Sequence, residues 1–165
     1  MKSTLVKKDR YYEPIASCLI RALIVPKIYF KKHWHGSDHS DIIAVDHAGT
    51  GDIHVVKICN TLDEALNEGV KALFNIPSHY RWIAYQGEGL APYSDTAELK
   101  LISQETLFPS SGMGRVGVIE IVLMSGNNIG ANIKVKSERF ETDEDIFDSI
   151  KEFVNTEKVS IKINV

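Results

Sequence analysis

The stretch Ser40-Asp41-Ile42-Ile43-Ala44-Val45-Asp46-His47-Ala48-Gly49-Thr50-Gly51-Asp52-Ile53-His54-Val55-Val56-Lys57-Ile58-Cys59 reads as two strands folded about a glycine-rich turn. β-Branched residues fill both arms, and Gly49 and Gly51 supply the backbone freedom that a reversal needs. In a hairpin symmetric about Gly49 the numbers of facing residues sum to 98, which sets Asp41 opposite Lys57. A lone carboxylate facing a lone ammonium on one sheet face has the form of a metal-dependent hydrolase site in which a carboxylate has been exchanged for a built-in cation.

On the N-terminal side, the run from Glu13 to Leu23 has apolar residues at 15, 19, 20 and 23, and Pro14 suits the first turn of a helix, where its missing N–H has no partner to lose. The pattern predicts a first helix from that point, ended by Pro26, and a first strand over Lys27–Trp34. On the C-terminal side, Thr61-Leu62-Asp63-Glu64 is a capping box. Apolar residues at 62, 65, 66, 70, 73 and 74 continue it as a second helix closed near Pro77, and His79–Tyr85 is the fourth strand. A strand that returns after a crossover helix is expected to lie parallel to a central strand, which makes the chain α/β with a mixed central sheet flanked by helices. Residues 87–97 read as a loop. Val116–Met124 and Ala131–Lys136 form a second hairpin around Ser125-Gly126-Asn127-Asn128. A second capping box, Thr142-Asp143-Glu144-Asp145, opens a last helix reaching about Val154. No repeat, low-complexity tract or domain boundary is visible, so residues 1–165 read as one domain.

With 165 residues the chain is long enough to bury a real core. Its hydrophobic share of 44% and charged share of 25% are those of a soluble globular protein. A net charge of −3 gives no global drive toward nucleic acid or an anionic membrane, although a local basic patch is compatible with it. Lys2, Lys7 and Lys8 are followed by no apolar run of signal-peptide length, and nowhere are there the roughly 18 consecutive apolar residues of a membrane span. Only Cys18 and Cys59 are present, so reduced thiols in a cytoplasm are expected rather than a disulfide framework.

The order helix, three strands, helix, strand, with Glu13 in the first helix and Asp41 opening the second strand, resembles the PD-(D/E)xK superfamily of restriction-endonuclease-like nucleases. The likeness covers residues 9–86, and the hairpin beginning Gly112-Met113-Gly114-Arg115-Val116-Gly117 resembles an extension, here residues 98–165, in some bacterial families of uncharacterised function. The resemblance implies a restriction-endonuclease-like αβββαβ core carrying a C-terminal β-hairpin and helix. In active members the Asp of the second strand and an acid on the third bind Mg²⁺, and a Lys two residues later positions or activates the attacking water. Mg²⁺ takes hard oxygen ligands and lowers the pKa of bound water, and the one-residue spacer keeps acid and Lys on one strand face.

Counted back from the second helix, the acid position is held by Lys57 and the Lys position by Cys59, while a Gln found on the second helix of active members is matched by Ala72. Glu13 and Asp41 remain, and Glu13 is expected to reach the face of Asp41 and Lys57 from the first helix. A Lys at a ligand position puts fixed positive charge where Mg²⁺ would sit, so no metal and no cofactor is expected. The reading is a non-catalytic module that binds DNA or a protein partner, with self-association left open. One alternative is a Mg²⁺-dependent DNA endonuclease with a relocated carboxylate, drawn from Glu13, Asp46 or Asp52. In a register with Lys57 as the catalytic Lys, Val55 takes the acid position and the acid is still lacking.

A further alternative is Zn²⁺ binding through His33, His35, Asp38 and His39, a cluster that resembles the HxHxDH motif of metallo-β-lactamase-like hydrolases with one residue too many before the Asp. Polar residues in a connection between strands explain it more simply. Cys59 beside Lys57 has the makings of an activated thiol, though filling the sheet interior is the simpler role. Lys31, Lys32 and Arg81 are candidate phosphate contacts, and Trp34, Tyr80, Trp82 and Tyr85 candidate stacking surfaces, against the plainer readings of a solvated face and a packed core.

Overall fold

The computed structural model describes residues 2–23, 27–32, 34, 40–46, 51–74, 76–87, 114–140 and 146–162. Helix α1 spans Lys2–Leu23 and carries Pro14 inside it, which corrects the expectation that Pro14 opens the helix. Packing explains the difference. Tyr11, Tyr12, Ile15, Ala16, Cys18 and Leu19 are buried in one cluster, and that stripe outweighs an interior proline, which costs about 3 kcal/mol.

Strand β1 (Lys27–Lys32) stops short of Trp34, and β2 (Ser40–Val45) and β3 (Ile53–Cys59) follow. β2 and β3 pair antiparallel as Ile42–Val56, Ile43–Val55, Ala44–His54 and Val45–Ile53, the register expected for a turn centred on Gly49. The Thr61 cap also forms, with the Glu64 N–H donating to Thr61 Oγ1 at 3.1 Å. Glu64 Oε2 accepts the Asn60 N–H at 3.2 Å, one residue further back than in the usual reciprocal box. The helix that follows is not uniform: α2 (Leu62–Glu64) passes through a π turn (Ala65–Gly69) into α3 (Val70–Phe74). Gly69 is where this irregular turn meets the sheet. A β-carbon there would lie 2.9 Å from Cys59 Sγ and 3.3 Å from Ile83 Cγ2.

Strand β4 (Tyr80–Gln86) runs parallel to β3, as a crossover through a helix requires. β5 (Gly117–Leu123) lies parallel to β4. β6 (Ile129–Val135) returns antiparallel to β5 after a 3-10 turn at Ser125–Asn127, in which Gly126 has φ 74°. Helix α4 (Phe147–Thr156) and the short β7 (Ile161–Lys162) close the described chain. β7 pairs with β1, a contact without sequence signal because two residues show no periodicity. The expected loop beyond Gly87 and the second capping box at 142–145 lie outside the described residues.

The strands form one mixed sheet in the order β6-β5-β4-β3-β2-β1-β7, with helices on both faces. The second hairpin therefore continues the same sheet. Alternation along each strand divides the buried residues between two clusters. One face carries Ile28, Ile42, Val56, Ile58, Trp82 and Ile119 against α1. The other carries Tyr29, Ile43, Val55, Cys59, Ile83 and Val118 against Leu66, Leu73, Ile150 and Phe153. β3 and β4 are thus covered on both sides.

The fold makes a sharp demand at Gly117, which pairs with Trp82. A β-carbon there would collide with the Trp82 ring and stand 2.8 Å from the Ser137 amide nitrogen. Gly117→Ala should destabilise the protein by about 1–3 kcal/mol through overpacking, read as a lower urea midpoint. An unchanged midpoint would show that Trp82 can shift aside at no cost.

Candidate functional site

Three pairings run straight across the sheet: Cys59–Tyr85, Tyr85–Glu120 and Glu120–Asn132. One step back along the strands lie Lys57, Ile83 and Val118. Extending the β2–β3 register by one residue sets Asp41 level with Lys57. Alternation then points Asp41, Lys57, Cys59, Tyr85 and Glu120 to the face covered by α2, α3 and α4. Cys59 and Tyr85 lie at the carboxyl ends of the parallel strands β3 and β4, the part of an open α/β sheet where ligands bind, and Glu120 stands level with Tyr85 midway along β5.

The side chains in this row are already engaged. Asp41 is buried, and its Oδ2 accepts the backbone N–H of Ile58 at 2.7 Å. The carboxylate thus takes the place of a ladder carbonyl where β2 begins. Lys57 is half-buried. Cys59 is buried beneath Gly69, a thiol outside any disulfide that serves as a small core residue. Tyr85 donates its hydroxyl proton to Glu120 Oε2 at 3.2 Å, and Lys134 Nζ stands 3.5 Å from Glu120 Oε1. The chain passes close over this carboxylate at Gly87, where a β-carbon would come within 2.7 Å of it. Glu120 was overlooked in the sequence, although a single charged residue inside the apolar run Val116–Leu123 is a signal. A buried strand keeps a charge only when it is paired.

Glu13 does not join the row. It is exposed on α1, which packs on the opposite face of the sheet, so the expectation that Glu13, Asp41 and Lys57 converge is corrected. Ala72 is half-buried on α3. The donor set does not suit Mg²⁺. Glu120 is matched by Lys134, Lys57 stands level with Asp41 in the strand register, both carboxylates already hold hydrogen-bond donors, and a two-carboxylate site has little affinity to spare against the dehydration of Mg²⁺. Among the described residues no three His, Cys, Asp or Glu side chains gather as metal ligands. His33, His35, Asp38 and His39 lie outside the described residues.

Of the candidate phosphate contacts, Lys31 is exposed, and Lys32 pairs with Glu157 at 3.3 Å. Arg81 is buried against the Phe140 ring at 4.4 Å and donates to Ser78 Oγ, so its place is the core rather than a solvated face. Trp34, Trp82 and Tyr85 are likewise core residues, and Tyr80 stacks on His54.

A second polar cluster occupies the amino ends of β3 and β4. Asp52 is buried and receives two hydrogen bonds from Arg139, each 3.2 Å, across 87 positions of sequence. His79 Nδ1 accepts the Ile53 N–H at 3.1 Å and lies 3.5 Å from Asp52 Oδ1. Burial lowers the His79 pKa, partly offset by Asp52. His54 is more extreme: its Nδ1 accepts the Trp82 indole N–H at 3.3 Å, and burial pushes its pKa down to about 4 against the pull of Asp46 and Asp52. The geometry of this cluster fastens the segment carrying Arg139 and Phe140 to the sheet. With His79 Nδ1 already accepting a backbone proton, the cluster is not set up as a proton relay.

No protein-family model, curated protein or solved structure matches the chain.

Two measurements test these assignments. Folded His54 resists the proton that the unfolded chain accepts, so its contribution to stability is complete above about pH 6.5 and is lost as the pH falls toward 4. The loss should approach about 3 kcal/mol at the acid end, and His54→Asn should flatten that part of the profile. For Asp41, Asp41→Ala should destabilise the fold by about 1.5–3 kcal/mol by stranding the Ile58 N–H, and Asp41→Asn, which keeps an acceptor, should lose clearly less. Equal losses would detach the stability effect from that hydrogen bond.

Proposed function

We propose that this chain is a restriction-endonuclease-like domain that recognises a partner without cutting it. The support is its element order, antiparallel through β1, β2 and β3 and then parallel through a helix to β4. The observation that carries the loss of catalysis is local. Asp41 spends its carboxylate on a backbone N–H, and the acid position beside it holds Lys57. A nuclease needs both carboxylates free for a divalent ion that stabilises charge on the scissile phosphate. Here an ammonium occupies one position and a hydrogen bond the other.

The candidate substitute acids are elsewhere: Asp52 is held by Arg139, Asp46 sits beside Asp52 at the amino end of β3, and Glu13 lies on the other face. The domain's work is then recognition of a nucleic acid or a protein partner, in the cytoplasm. Arg81 in the core and Lys32 paired with Glu157 break up the basic track that a long phosphate backbone would follow, which favours a compact partner surface. Among the described residues no helix is long and apolar enough to cross a membrane.

The purified chain should cleave neither single- nor double-stranded DNA with Mg²⁺ or Mn²⁺. Lys57→Glu combined with Cys59→Lys restores the acid-spacer-lysine pattern next to Asp41, and its melting temperature should rise on addition of Mn²⁺ while that of the unmodified chain stays level. Metal-dependent cleavage by the unmodified chain, abolished in Asp41→Ala, would sink the proposal.

A further inference from the structure

An open cleft of about 590 Å³ lies on the α1 side of the sheet. Arg10, Tyr12 and Glu13 line it from α1, Phe30 and Lys31 from β1, and Asn128 from the turn into β6. Four strands separate β1 from β6, a span of about 24 Å on a flat sheet. Both nevertheless reach the one cleft beside α1.

Lys31 gives the cleft its chemistry. It has φ 53°, and among the described residues it is the only one other than glycine in the left-handed region, which a β-carbon disfavours. Alternation along β1 would send it to the face of buried Tyr29, yet its Nζ stands 5.7 Å from the centre of the Tyr12 ring on the α1 side. The strained backbone therefore delivers the ammonium to the cleft that Arg10 also lines. Backbone strain of this kind gathers at ligand clamps, where a particular side-chain position is worth its cost.

We propose that this cleft binds a small organic phosphate monoester of about mononucleotide size. Arg10 and Lys31 supply the two cations that a phosphate dianion takes up, the arginine offering a planar fork and the lysine a point charge. Glu13 and Asn128 present acceptors for hydroxyl or amino groups on the organic body, and Phe30 and Tyr12 give it an apolar floor. The volume falls within the roughly 300–1,000 Å³ of small-molecule sites. The inference is independent of the nuclease-like reading, because neither Lys57 nor Cys59 takes part.

Calorimetric titration of the full chain with adenosine 5′-monophosphate, inorganic phosphate, adenosine and a short oligothymidylate tests it. Saturable binding of the monophosphate is expected, with phosphate alone weaker and adenosine weaker still. Arg10→Gln and Lys31→Gly should each weaken monophosphate binding about tenfold, equivalent to one 1.4 kcal/mol step. Lys31→Gly keeps the test independent of folding: glycine accepts the left-handed backbone, so its melting temperature should hold or rise while binding falls. Glu13→Gln should narrow the preference for the monophosphate over phosphate. Absence of saturable monophosphate binding, binding unchanged in Lys31→Gly, or binding of the oligothymidylate alone would each overturn the proposal.

Discussion

The parallel pairing of β3 with β4, from His54–Tyr80 to Cys59–Tyr85, is the constraint on which the rest of the structure depends. Both strands are buried on two faces, so each residue along them must serve one core or the other. Val55, Cys59 and Ile83 belong to the α2–α4 side, and Val56, Ile58 and Trp82 to the α1 side. A slip of one residue would exchange the two sets and turn Lys57 into the α1 core. The same register stacks His54 on Tyr80, with ring centres 4.4 Å apart, and brings Cys59, Tyr85 and Glu120 into a single row.

Around that pair the buried charges are handled one at a time. Asp41 is satisfied by a backbone amide, Asp52 by the guanidinium of Arg139, and Glu120 by a phenol and an ammonium. Each is a local solution to the cost of desolvating a carboxylate. Together they leave no pair of carboxylates facing a common space, which is what a hard divalent cation would need.

The α1 side of the sheet differs in exposure. There Arg10, Lys31 and Glu13 remain at the surface, beside aromatic rings and an amide. Lys31 is carried to that side by a backbone conformation that lysine does not favour.

The sequence by itself determined what depends on neighbours along the chain. The β2–β3 register followed from symmetry about Gly49, the Thr61 cap from Glu64 three residues on, and the parallel β4 from its crossover helix. These are short-range rules of alternation, capping and connection, and tertiary packing had no reason to overrule them. What only the tertiary structure decided involves partners far apart in sequence. Arg139 meets Asp52 across 87 positions, Glu120 meets Tyr85 across 35, and β7 finds β1 at the far end of the chain. Glu13 fell on the unexpected face because the side of the sheet that α1 covers is settled by its whole buried stripe, not by the residues next to Pro14. Lys31 left the face that alternation assigns it because one backbone torsion, invisible in the residue pattern, turned it toward α1.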